Sequence, residues 1–142
     1  MEIRSPKTTS EWEEYYDLRY RILREPWKQP RGSERNEGDE TGMHFGLYDS
    51  NQLLGILRLD SMEIGISQIR FMAVETSNQG KGIGENLMLF AEEISKNRGD
   101  KKIILHAREI ALGFYEKMGY QLIEKSHLLF GEIQHYLMEK NI

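Results

Sequence analysis

Gln79-Gly80-Lys81-Gly82-Ile83-Gly84 sets three glycines at alternate positions, after an apolar run ending near Val74 and before a helical pattern beginning near Ile83. Glycine admits positive φ and lets a ligand approach the backbone with no Cβ in the way. A helix N-terminus leaves its first amides unpaired and carries partial positive charge. Together these predict an anion site, best filled by phosphate, with Gln79 and Lys81 as side-chain donors at its rim. A ligand-free surface turn uses glycine in the same way, so the spacing has to sort the alternatives. A Walker loop needs Ser or Thr after Gly-Lys, whereas Gly82 follows Gly80-Lys81. A dinucleotide fingerprint needs two residues between its second and third glycines, and only Ile83 separates Gly82 from Gly84. A kinase needs its catalytic loops and a longer chain.

Outward from this turn, the helix after it shows Ile83, Leu87, Phe90, Ala91 and Ile94 on one face and stops at Arg98-Gly99-Asp100. Before it, Ile64 to Val74 reads as a strand, with Gly65 marking a bend at its start. His44 to Tyr48 and Leu53 to Leu59 read as a hairpin across the polar turn Asp49-Ser50-Asn51-Gln52. Lys102 to His106 is a short strand whose run Ile103-Ile104-Leu105 predicts burial on both faces. Arg108 to Met118 reads as a second amphipathic helix burying Ile110 or Ala111, Phe114 and Met118, with Gly119 just past its end. Tyr120 to Glu124 and Ile133 to Met138 supply two last strands.

At the N-terminal end, Glu2 to Arg4 is a candidate first strand. Ser10-Glu11-Trp12-Glu13 reads as a capping box, opening a helix of about three turns through Trp12, Tyr15, Leu18, Arg19 and Ile22. Pro26 stops it. From Pro26 to Gly42 the chain is rich in Pro, Gly and charge, with Trp27 its one large apolar residue. So long a segment reads either as a lid or partly helical wall on the substrate side, or as a mobile loop.

With 142 residues the chain fits one domain, residues 1–142. Its net charge of -4 offers no basic footprint for nucleic acid. The absence of cysteine removes disulfides, thiolate catalysis and cysteine-ligated zinc, and fits a reducing compartment. No signal peptide or membrane span is visible, so a soluble, cytoplasmic location is expected. No histidine pair has helical metal-ligand spacing, and no metal is expected.

The pattern Gln/Arg-x-x-Gly-x-Gly/Ala, met by Gln79, Gly82 and Gly84, resembles the first signature of the GNAT superfamily of N-acetyltransferases. A second stretch, Ala111-Leu112-Gly113-Phe114-Tyr115 followed by Gly119-Tyr120, is similar to that family's other signature, one helix and one strand further on. Leu23-Arg24-Glu25-Pro26 and His135, three residues before Met138, look like its small bacterial ElaA-like subgroup. The resemblance implies an α/β (α+β) fold: a mixed, mostly antiparallel central sheet of six to seven strands flanked by about four helices.

It also implies acetyl-CoA as co-substrate, lying between the strand that ends at Val74 and the strand from Lys102. Met72, Ala73 and Val74 would meet the pantetheine arm, an amide near Val74 polarising the thioester carbonyl. The amides of Gly80, Lys81, Gly82, Ile83 and Gly84 would take the pyrophosphate, with Gln79, Ala111, Phe114 and Tyr115 completing the cofactor contacts. Tyr115 would act as general acid on the leaving thiolate; an ordinary core-edge tyrosine is the plainer reading. Glu75, His106, His127 and His135 are the available general bases, His135 and Glu75 foremost. The asparagine usual near the end of the fifth strand is absent, Ala107 or Arg108 standing there.

Two other functions share these features: a non-catalytic acyl-CoA-binding module, and a toxin-type relative acting on aminoacyl-tRNA, against which the acidic balance argues. The acceptor is expected to be a small-molecule or peptide amine meeting Trp27, with Glu25, Glu34, Glu37, Asp39 or Glu40 available to a cationic group. No nucleic-acid or membrane partner is expected, and the last strands offer edges through which a homodimer could form.

Overall fold

The computed structural model describes residues 1–142. Seven strands form one sheet: β1 (Glu2–Arg4), β2 (Met43–Asp49), β3 (Gln52–Ser61), β4 (Ile66–Val74), β5 (Lys102–Arg108), β6 (Gln121–Leu129) and β7 (Ile133–Asn141). Their order across the sheet is β1-β2-β3-β4-β5-β7-β6. Every neighbouring pair is antiparallel except β4 and β5, which run parallel. Parallel neighbours need a crossover, here the helix α2 (Ile83–Asn97). Two more helices, α1 (Thr9–Leu23) and α3 (Leu112–Lys117), and four short 3-10 turns complete the mixed, mostly antiparallel α/β architecture.

The helical pattern of α1 presents Tyr15 and Leu18 to one small cluster with Tyr48, Leu53, Ile56 and Ala73. The apolar face of α2 sets Ile83, Leu87, Met88 and Ala91 in the main core, against Phe45, Leu47, Leu57, Leu59 and Ile69. Both clusters draw on β2 and β3, because successive strand residues point to opposite faces. No helix is long and apolar enough to cross a membrane.

Several boundaries differ from the sequence expectations. The cap of α1 is Thr8, not Ser10: its hydroxyl accepts from the Glu11 amide at 3.1 Å. Thr8 wins because the Glu11 carboxylate is then free to accept from the Lys7 amide and both terminal nitrogens of Arg4. The helix expected over 108–118 is shorter. Arg108 belongs to β5, Glu109–Ala111 is a 3-10 turn, and only Leu112–Lys117 is α-helical. Ile110 is 89% exposed, so Tyr115 rather than Ile110 anchors α3 in the core. Gly119, at φ +94, ends it as expected. The two last strands run longer than their apolar residues suggest, since β6 is exposed along most of its length.

The segment 25–42 is a wall tied to the sheet. It holds two 3-10 turns, Glu25–Trp27 and Glu37–Glu40, the second closed by a capping box between Asn36 and Asp39. Asp39 receives the fully buried Arg19 at 2.8 Å and the fully buried Arg58 at 2.7 Å through one carboxylate oxygen. Two guanidinium groups with no solvent contact require such a carboxylate. The chemistry that anchors the segment is invisible in local sequence.

Candidate active site

Strands β4 and β5 pair at only three positions, from Ile66↔Lys102 to Gln68↔Ile104. Beyond these they separate, while β3 follows β4 to Val74 and β7 follows β5 to Arg108. The β5-facing edge of β4 past Gln68 therefore has no partner strand. A local irregularity accompanies the divergence: the β3–β4 register shifts between Ile56 and Arg58, and Phe71 takes a left-handed φ of +54. A bulge of this kind bends a strand and re-aims its side chains. The result is a cleft of about 650 Å³ whose walls include Met72, Val74, Leu105 and Ala107.

One end of the cleft is the glycine turn. Gly80 and Gly82 stand at φ +78 and +82 with open space where a Cβ would be, so these positions require glycine and leave room beside the backbone. Gly82 is the N-cap of α2 and offers no side-chain acceptor to the first-turn amides. Those amides are left for a ligand. Gly84 is packed more closely, since a Cβ there would lie in van der Waals contact with the Phe114 ring at 3.4 Å. The expected rim donors behave differently. The Gln79 side-chain amide donates to the Val74 carbonyl at 3.1 Å, and Lys81 is exposed and forms no part of the cleft wall.

Tyr115 is buried in the core but also borders the cleft, beside Ala111 and Phe114. Burial pushes its phenol up to about 12, opposed by the positive charge of Arg108. It is therefore protonated at neutral pH. Across the cleft, His135 pairs with Arg108 in the β5–β7 register. Its Nδ1 lies 2.9 Å from the Ile133 carbonyl. A carbonyl only accepts, so Nδ1 carries the hydrogen and Nε2 holds a lone pair. Desolvation lowers its pKa; the Ile133 contact opposes this, and His127, Arg108 and His106 add to the lowering. His127 stacks on His135 at 4.3 Å, and His106 stands 5.4 Å from His127. All three rings border the cleft. Glu75 does not: both its oxygens accept from Arg21 at 3.1 Å, outside the cleft. An engaged carboxylate away from the cleft is a poor general base, and His135 is the better placed of the two.

A family model described as "Acetyltransferase (GNAT) domain" matches residues 24–142. The chain belongs to the GNAT acetyltransferase family. It is 24% identical over 135 residues to the uncharacterized N-acetyltransferase YjcF of Bacillus subtilis (strain 168), covering 95% of this chain and 96% of that protein. A solved aminoglycoside 6'-N-acetyltransferase complexed with coenzyme A superposes with a TM-score of 0.83 at 19% identity, covering 99% of this chain and 97% of the other. Escherichia coli ElaA superposes with a TM-score of 0.83 at 17% identity, over 98% of this chain and 97% of the other. Both likenesses are ones of fold, and they extend through α1, which the family model leaves out.

In this GNAT chain the other half of the cleft is built by α1, the segment after it and the β6–β7 hairpin. Trp27 borders it. The carboxylates of 25–40 do not: Asp39 is committed to Arg19 and Arg58, and Glu34 accepts from the Gly32 amide at 2.8 Å. Sequence reasoning missed the residues that do line this half, namely Arg24, Arg70 and Phe71. The Phe71 ring lies under four guanidinium groups, with Arg19 at 4.3 Å, Arg58 at 4.9 Å, Arg70 at 5.0 Å and Arg24 at 5.7 Å from its centroid. No local signal marks an arginine as facing a cleft on a distant element, so none could have found them.

Proposed function

We propose that this GNAT protein is an acetyl-CoA-dependent N-acetyltransferase acting on a primary amine by direct attack. The observation that carries the reading is the unpartnered edge of β4, which shares one cleft with the uncapped start of α2 and with Tyr115. The residues fit coenzyme A: the glycine turn leaves backbone amides and open space for a pyrophosphate. The free edge of β4 offers hydrogen-bonding groups to an extended amide-bearing arm. Bound acetyl-CoA would supply the activated acyl carbon and a thiolate leaving group.

The chain's own residues then have separate tasks. His135 Nε2 takes one proton from the ammonium form of the acceptor, freeing the nitrogen lone pair. The nitrogen bonds to the acetyl carbon as the carbon–sulfur bond breaks. Tyr115 gives its phenol proton to the departing thiolate and recovers one from the acylated nitrogen. Proton count balances, with one proton passing from His135 to solvent.

Calorimetry with acetyl-CoA and a thiol-release screen over primary amines test the proposal. Binding together with amine-dependent thiol release is the expected result. Absence of binding at millimolar acetyl-CoA overturns it; binding without turnover on any amine would favour the non-catalytic module.

A further inference from the structure

The charge on the cleft wall points to one class of acceptor. Arg24, Arg70 and Arg108 come from the end of α1, from β4 and from the end of β5, and all three border the cleft. Only one carboxylate shares that wall, Glu85, on the first turn of α2 at the glycine-turn end. The two fully buried arginines of this chain have acidic partners: Arg19 has Asp39, and Arg58 has Asp39 and Asp60. Arg24 and Arg108, half-buried, and Arg70, more exposed, form no ion pair. Arg24 donates to the neutral carbonyls of Ser33 at 3.0 Å and Leu23 at 2.9 Å, which position it without cancelling its charge. Arg108 lies over the Trp27 ring at 5.6 Å, and Arg70 over Phe71 at 5.0 Å. Aromatic faces hold a guanidinium in place while leaving its N–H fork free.

Burial lowers the pKa of all three. Arg19 and Arg70 lower that of Arg24 further against Glu34, and Arg58 and Arg19 that of Arg70 against Asp60 and Asp39, so no carboxylate in contact neutralises them. A guanidinium fork matches a carboxylate or phosphate in two parallel hydrogen bonds. Arg108 sits over Trp27 and beside His135, Arg24 and Arg70 share the Phe71 ring, and none of the three belongs to the glycine turn. The pyrophosphate of a coenzyme held at the glycine turn therefore leaves them unpaired.

Building on the acetyltransferase reading, we infer that the acceptor is an amine that also carries an anionic group, a carboxylate or a phosphate, seated on Arg24, Arg70 and Arg108. A polycationic amine would meet three like charges and no carboxylate at that end.

Matched pairs test this in two arms. The carboxylate arm compares 4-aminobutyrate with 4-aminobutanamide, and the phosphate arm compares O-phosphoethanolamine with ethanolamine; 1,4-diaminobutane is the cationic control. Thiol release should favour the anionic member by about tenfold or more in at least one arm. Arg24→Gln and Arg70→Gln should each remove most of that preference by raising KM, with acetyl-CoA affinity unchanged in calorimetry. A second readout needs no turnover. In a Trp12→Phe background Trp27 is the remaining tryptophan, and its fluorescence should respond to the anionic probes and not to their neutral partners. The inference is overturned by equal use of both members in both arms, by preference for the diamine, or by arginine variants that weaken coenzyme binding instead. A failure of acetyl-CoA to bind would sink the enzyme reading alone, since the Trp27 titration still reports the anion site.

Discussion

Tyr115 stands between two opposing influences. Burial holds its proton firmly, and the nearby Arg108 charge makes that proton easier to release. A general acid needs both: protonation at working pH and help for the developing phenolate. Tyr115→Phe should lower kcat by about a hundredfold, a general-acid-sized effect, while calorimetry shows coenzyme affinity nearly intact. Unchanged turnover would return Tyr115 to core packing. His135 predicts the pH profile. Its pKa is lowered from 6.5, chiefly by desolvation, so the base form persists below the ordinary histidine value. The acid limb of kcat/KM should therefore fall below pH 6.5, and His135→Gln should remove that limb. At the turn, Gly82→Trp should abolish acetyl-CoA binding, because a side chain would fill the open space beside a left-handed backbone. Circular dichroism separates this from misfolding.

Among the elements, the segment 25–42 depends on Asp39. Desolvation raises its pKa, but hydrogen bonds from Arg19, the Asn36 amide and Arg58, with the Arg19 charge, bring it below 3.8. A depressed carboxylate contributes stability above its unfolded value and loses it as pH falls through the folded one. Asp39→Ala leaves two buried guanidinium groups uncompensated and should cost about 3 kcal/mol or more in urea unfolding. An unchanged midpoint would mean that solvent reaches the arginines. The elements also show how far local pattern reaches. Spacing predicted α2 nearly to the residue, because its apolar face is a continuous helical stripe. It missed the break in 108–118, where exposed Ile110 imitates a core position. It placed a strand over Ile64 to Val74 without the irregularity at Phe71, which arises from pairing with β3.

For the whole molecule, ligand binding and folding are linked. A coenzyme that binds only the native state should raise stability by about 2.7 kcal/mol at a hundred times its Kd. For a domain of this size that is roughly 10 °C in Tm. No shift in a thermal melt at millimolar acetyl-CoA would contradict the cleft as its site. The exposed edge strand β6, with Leu122, Ile123 and Leu128 at its surface, is the place where a second copy would pair; light scattering reports whether it does.

Gln79 to Gly84 by itself determined a glycine turn opening a helix with no side-chain cap, because backbone amides and glycine conformations need nothing from the rest of the chain. Together with Phe114, Tyr115 and Gly119, it also determined the family. Tertiary structure alone decided the opening between β4 and β5, the convergence of three histidines, and the placement of Glu75 outside the cleft. It decided which charges border the cleft too. Arg24, Arg70 and Arg108 are dispersed in an acidic chain, and only folding shows that every carboxylate but Glu85 lies elsewhere.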